Sequence, residues 1–286
     1  DVLKSMLSEE PSTSDEGLRL FFAAQNVRHG LLPDTPDRET IEALVFSAYV
    51  AGAGAGDPNS ACEAGKCCLL GYGTESSQER AMTFFSQGAE AGNCESAYRA
   101  AHLLYWIRQD YSAAFETVQK ALSVDLNGDA HYLQALMFFH GRGCEADFEQ
   151  CVAQHRTAAE KGNADAMFEL YVLMSTDRIA EDAECTAMEW CTRAANSGSV
   201  RAVYNMGTFY ASGRGMPKDM EKALEWYTKA SYAGHGKASA TVGVMHLTGA
   251  LGEADETAAE FFFEKSVQQG FDFDGFLKQM GLAPAE

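Results

Sequence analysis

The stretch Ala202-Val-Tyr-Asn-Met-Gly-Thr-Phe-Tyr-Ala-Ser-Gly-Arg-Gly215 decides the fold; it continues through Met216-Pro-Lys-Asp219, Lys222-Ala-Leu-Glu-Trp-Tyr227 and Lys229-Ala230 to Gly234. Ala202, Met206, Gly207 and Tyr210 share one stripe of a helix. The glycine admits a close neighbour helix, and the tyrosine fills the space beside it. Gly213 and Gly215 stop that helix and turn the chain. Pro217 in a first turn and Asp219 as a cap suit the start of a second helix, whose buried stripe is Ala223, Trp226, Tyr227 and Ala230.

Outward from this unit the pattern repeats. A glycine follows a helical stretch at Gly56, Gly92, Gly128, Gly162, Gly198, Gly234 and Gly270, with gaps of 36, 36, 34, 36, 36 and 36 residues. A residue inside each first helix keeps nearly the same period: Gly65, Ala101, Ala135, Tyr171, Gly207 and Gly243. Two markers with one period indicate stacked helix pairs, each of which buries its apolar face only against its neighbours. The unit beginning at Ser96 lacks the glycine turn, and the unit beginning at Ala166 carries Tyr171 where the others carry a small residue. Upstream, Gly17–Gly30 reads as a further first helix with Ala24 at the small position, and Thr40–Gly54 as its second helix.

Composition bounds the partners. The 286 residues carry 41 acidic and 22 basic side chains, a formal charge of −19, and 46% are hydrophobic. So apolar a chain is no disordered acidic tail. Without a basic run it lacks the means to neutralise the phosphates of nucleic acid or of an anionic membrane. No apolar stretch is long enough to span a bilayer. The chain starts at Asp1, so we expect a processed form or a piece of something longer. The eight cysteines (Cys62, Cys67, Cys68, Cys94, Cys144, Cys151, Cys185 and Cys191) are irregularly spaced, with no CxxC. Reduced, packed thiols and a cytoplasmic compartment are therefore expected.

These residues resemble the Sel-1-like repeat, a relative of the tetratricopeptide repeat. Ala202 to Ala230 follows the family pattern best, and the likeness extends over residues 15–270. It implies an all-α, right-handed superhelix of about seven helix-turn-helix repeats. A flexible N-terminal arm is expected over residues 1–14, and a capping helix over residues 271–286 built on Phe276, Leu277 and Leu282. One branch of the family, secreted and cysteine-rich, staples each repeat with a disulfide. Here Cys94 holds roughly one of the two places, but Gly88 holds the other, which departs from that branch.

Other constellations have simpler readings. His140, Cys144, Cys151 and His155 could be gathered around zinc. In the repeat alignment, however, Cys151 stands where Ala187 and Ala223 stand, and His155 where Tyr227 stands, so packing is expected and no metal. Cys191 likewise aligns with Tyr227, and no third group activates a cysteine nucleophile. Gly71-Tyr-Gly73, Gly141-Arg-Gly143 and Gly213-Arg-Gly215 are helix-pair turns rather than phosphate loops. No cofactor and no catalytic residue is expected. From Cys144 to Trp190 eleven acids, Glu181, Asp182 and Glu184 among them, face three bases, which suits either solvation or the steering of a basic partner.

The resemblance also implies where a partner would sit, since first helices line the concave wall of such superhelices. The places one after, two before and five after the small residue point to Glu63 and Lys66; Arg99, His102 and Trp106; Leu133 and His140; Glu169 and Val172; and Asn205, Thr208 and Ser212. Asn and Arg there can hold a peptide backbone or carboxylate, and Trp106 is an anchor candidate. The expected function is a non-enzymatic adaptor holding a protein or peptide, basic or extended, on that face. The alternatives are a permanent structural subunit of a larger assembly and, further off, a secreted disulfide-stapled protein of hydrolase type.

Overall fold

The computed structural model describes residues 2–8, 11–30, 37–180, 185–250 and 252–280, and every regular element among them is helical. In chain order these are α1 (Val2–Leu7), α2 (Ser14–His29), α3 (Arg38–Gly54), α4 (Pro58–Leu70), α5 (Gln78–Glu90), α6 (Cys94–Leu103), α7 (Tyr111–Gln119) and α8 (Asp129–His140). They continue with α9 (Phe148–Glu160), α10 (Ala164–Ser175), α11 (Ala187–Asn196), α12 (Val200–Ser212), α13 (Met220–Tyr232), α14 (Gly236–Leu247), α15 (Glu256–Gln268) and α16 (Phe273–Met280). From α2 to α15 first and second helices alternate as the repeat requires.

Many of the helices start on side chains that satisfy orphan amides of the first turn, although α3, α8 and α12 do not. Asp57 Oδ2 accepts from the Ser60 amide at 2.7 Å, Asn93 Oδ1 from Ser96 at 2.7 Å and Asn163 Oδ1 from Ala166 at 2.8 Å. Second helices start the same way on Ser77, Asp110 and Asp219, and Thr186 forms a reciprocal capping box with Glu189. Pro217 lies ahead of the Asp219 cap and not in the first turn of α13, because the cap needs an extended residue just before Met220. The seven glycines of the long period all have φ between 75° and 100°, the left-handed turn that reverses the chain between pairs.

The chain divides into two compact units, residues 1–154 and 155–286. In the first, each helix from α2 to α8 packs on the next. Leu20, Val45, Tyr49, Cys67 and Phe85 form one part of its core, and Tyr105, Val118, Leu133 and Met137 another. The N-terminal arm holds α1, which packs on α2 and α3 and buries Leu3 to 3% exposure. Its apolar side chains Leu3, Met6 and Leu7 join the core. The Ser96 unit makes its turn without glycine. A π-helical turn, Leu104–Arg108, extends α6, and Gln109 takes the left-handed conformation at φ 56°.

In the second unit α10 to α15 likewise pack in succession. Tyr227, Val242 and Phe262 form its centre. Helix α16 packs on α14 and α15 and buries Phe276 against Ala240 and Val244. The Leu277 side chain and Leu282 lie outside the described residues, as do Glu181, Asp182 and Glu184 of the acidic stretch.

Candidate functional site

In the first unit the first helices α2, α4 and α6 are joined by a chain of alternating charges. Arg28 Nη1 lies 2.7 Å from Glu63 Oε2, and Glu63 Oε1 lies 2.5 Å from Lys66 Nζ. Lys66 reaches Glu95 Oε1 at 3.3 Å, and Arg99 Nη2 meets the same oxygen at 2.9 Å. Glu63 is only 9% exposed, so its charge is tolerated because two cations hold it. Arg28 also lies over the Tyr72 ring at 4.9 Å, which fixes its guanidinium. Burial alone would lower the Lys66 ammonium, but its hydrogen bond to Glu63 and the neighbouring charges hold it above its ordinary value. Burial would likewise raise Glu95, yet Lys66 and Arg99 keep it below the usual carboxylate range.

These side chains border an open cavity of about 450 Å³ lined by Arg28, Glu63, Lys66, Leu69, Leu70 and Arg99. Three cations and one carboxylate make its lining positive in a chain whose formal charge is −19. Leu70, 73% exposed, stands at its edge. At the equivalent place one repeat on, Trp106 is 49% exposed on the π-helical turn, with its ring 6.3 Å from that of His102. Burial and then the nearby Arg99 lower the His102 imidazole, so it is neutral at physiological pH.

The remaining residues singled out by the spacing are placed less uniformly. Leu133 is 3% exposed and packs in the core with Tyr105, Val118 and Met137. His140 is exposed at the end of α8, its ring 5.0 Å from Phe139. In the second unit Glu169 Oε1 accepts from Arg201 Nη1 at 2.8 Å, while Asp165 Oδ1 takes the other guanidinium nitrogen at 3.2 Å. The Asn205 amide donates to the Arg201 carbonyl at 2.9 Å, and Ser212 Oγ to the Thr208 carbonyl at 2.8 Å. Thr208 Oγ1 accepts from Tyr227 Oη at 3.1 Å, and the Val172 carbonyl accepts from Thr176 Oγ1 at 2.7 Å.

Arg28, Glu95 and Leu69 belong to the cavity and its charge chain but lie outside the three chosen places of the repeat. A sequence signal for two of them existed. Glu95 and Arg99 are one helical turn apart, and Arg28 and Glu63 are separated by 35 residues, close to one repeat.

Among the described residues no three His, Cys, Asp or Glu side chains converge as a metal site. The eight cysteines stand as thiols, six of them buried. Burial pushes Cys62 up to about 11 and Cys67 and Cys191 to about 12, so these three carry almost no thiolate at neutral pH. No described helix is long and apolar enough to cross a membrane.

Comparison with known proteins agrees with the fold. A Sel1 repeat protein from Oxalobacter formigenes is similar at 24% identity and a TM-score of 0.72, over 93% of this chain and 76% of the other. A protective antigen present in uropathogenic Escherichia coli strains, described as displaying an SLR fold, is similar at 21% identity and a TM-score of 0.60, over 96% of this chain and 65% of the other. No curated protein matches. The Sel1 repeat model matches residues 58–93, 128–163, 186–199, 200–235 and 238–271, more than half of the sequence, and the chain therefore belongs to the Sel1 repeat family.

Proposed function

We propose that this chain is a non-enzymatic adaptor that holds a protein or peptide partner on the face formed by its first helices. Sel1 repeat proteins are generally protein-interaction scaffolds, and the fold is typically non-enzymatic. The observation that carries the reading here is the pairing of Leu70 with Trp106. Both are large apolar side chains at the same repeat position of successive first helices, and both face solvent. Exposed aromatic and aliphatic anchors beside fixed charges are what a protein interface uses.

The test is affinity capture from the native cell with the unaltered chain and with L70A/W106A as baits. The reading expects one or more proteins captured by the first and lost by the second. Equal capture by both baits would place the interface elsewhere, and no specific capture by either would remove the adaptor role.

A further inference from the structure

At the cavity between α2, α4 and α6 three cations, Arg28, Lys66 and Arg99, meet two carboxylates, Glu63 and Glu95, and the net charge of +1 is opposite in sign to the chain's −19. Its lining presents Arg28, Lys66 and Arg99 together with Leu69 and the exposed Leu70. The cations are already arranged to hold carboxylates, because Glu63 and Glu95 occupy them at 2.5–3.3 Å. The two carboxylates differ in kind. Glu63 is buried and bound from both sides, so it belongs to the scaffold. Glu95 is exposed, and one of its oxygens bridges Lys66 and Arg99 from the rim. An incoming carboxylate can replace it there without opening the core.

We propose that this cavity binds an extended acidic peptide, one of whose carboxylates displaces Glu95 between Lys66 and Arg99 while an apolar neighbour packs on Leu69 and Leu70. Charge complementarity selects the acidic class: in a chain of net charge −19 a positive recess draws anionic groups and leaves cationic ones to the rest of the surface. The apolar contacts select a peptide over a small dicarboxylate. Leu70 and Trp106 stand one first helix apart, roughly 8–10 Å for packed helices. That span is about three residues of extended chain. A peptide with an acid between two apolar residues meets both at once, whereas a free dicarboxylate would leave both uncovered. The expectation of a basic partner, drawn from the acid-rich stretch after Cys144, concerns a different part of the chain.

The inference rests on the adaptor reading and names the partner's chemistry. It is tested with the full chain and a fluorescent octapeptide that repeats Glu-Asp-Leu-Glu, read by anisotropy. A Lys-Arg-Leu-Lys octapeptide and free succinate at matched carboxylate concentration serve as the other arms. R99Q is expected to weaken the acidic probe about tenfold by removing a charge-assisted pair. E95Q is expected to tighten it about threefold by releasing Lys66 and Arg99 from their internal competitor. Mere damage to the fold would weaken binding in both variants, so the opposite signs identify the site. Affinity should also fall as NaCl rises. Preference for the basic octapeptide, full displacement by succinate, or weakening by E95Q would overturn the proposal. If the acidic probe fails while the native capture still depends on Leu70 and Trp106, the acidic class falls and the adaptor role stands; if both fail, both fall.

Discussion

Gly207 lies directly against the ring of Tyr227: a methyl group at position 207 would stand 2.6 Å from Tyr227 Cδ1. The same relation holds between Gly65 and Phe85. In these pairs the glycine of the first helix lets the aromatic residue of the second reach its backbone, and the two helices close to a distance that a side chain would forbid. G207A should destabilise the protein by about 1–3 kcal/mol through overpacking, although alanine is the better helix former. Urea unfolding followed by circular dichroism measures this, and a stabilised variant would contradict the packing.

The first helix pair of the second unit inverts the relation. In α10 and α11 the large residue is Tyr171 and the small one Cys191, at the places of Gly207 and Tyr227. Burial raises the Tyr171 phenol, and the neighbouring Cys191 raises it further, as expected of side chains that share one space. C191Y alone should cost about 3 kcal/mol or more, and the double variant Y171G/C191Y should recover most of it. Thermal unfolding of the two singles and the double gives the coupling; strict additivity would mean that the residues do not share a site.

Thiol chemistry follows from burial. Cys94 is half-buried, its Sγ 3.5 Å from the Lys120 carbonyl, while Cys62, Cys67 and Cys191 are enclosed with raised thiols. Under native conditions at neutral pH a disulfide reagent should label Cys94 in preference to those three, and denaturation without reductant should release all eight. Fewer than eight thiols after denaturation would revive the disulfide-stapled alternative.

Acid should weaken the second unit through His155. Burial lowers its imidazole from 6.5 to about 4. Because the folded value is depressed, the unfolded chain takes up the proton first as pH falls. Stability is therefore full above about 6.5 and declines toward pH 4, by at most about 3 kcal/mol. H155Y, which installs the residue found at the equivalent place 227, should lose part of this decline. Urea midpoints at pH 7 and pH 5 test it, and an unchanged pH dependence would contradict the assignment.

The repeat was legible because its markers are dictated by the backbone and by close packing. A left-handed turn wants glycine at Gly56 or Gly234, and a helix pressed by an aromatic ring wants glycine at Gly65 or Gly207. What the markers could not carry was the surface. Leu133 is core, packed with Tyr105, Val118 and Met137, although Arg99, Glu169 and Asn205 at the same place of other repeats are not buried. Glu63 was legible as a place on the face but not as a buried group, since its burial depends on Arg28 and Lys66 reaching it from two directions. Such charge chains link residues about one period apart, and a pattern search within one repeat passes over them.

Hydrogen exchange of the captured complex, compared with the chain alone, tests the partner-binding face most directly. The account predicts slowed exchange in the first helices of the first unit, at the C-terminal end of α4 and from α6 through Leu104–Arg108, with α5 and α7 unchanged. Protection confined to α5 and α7, with α4 and α6 unchanged, would contradict it.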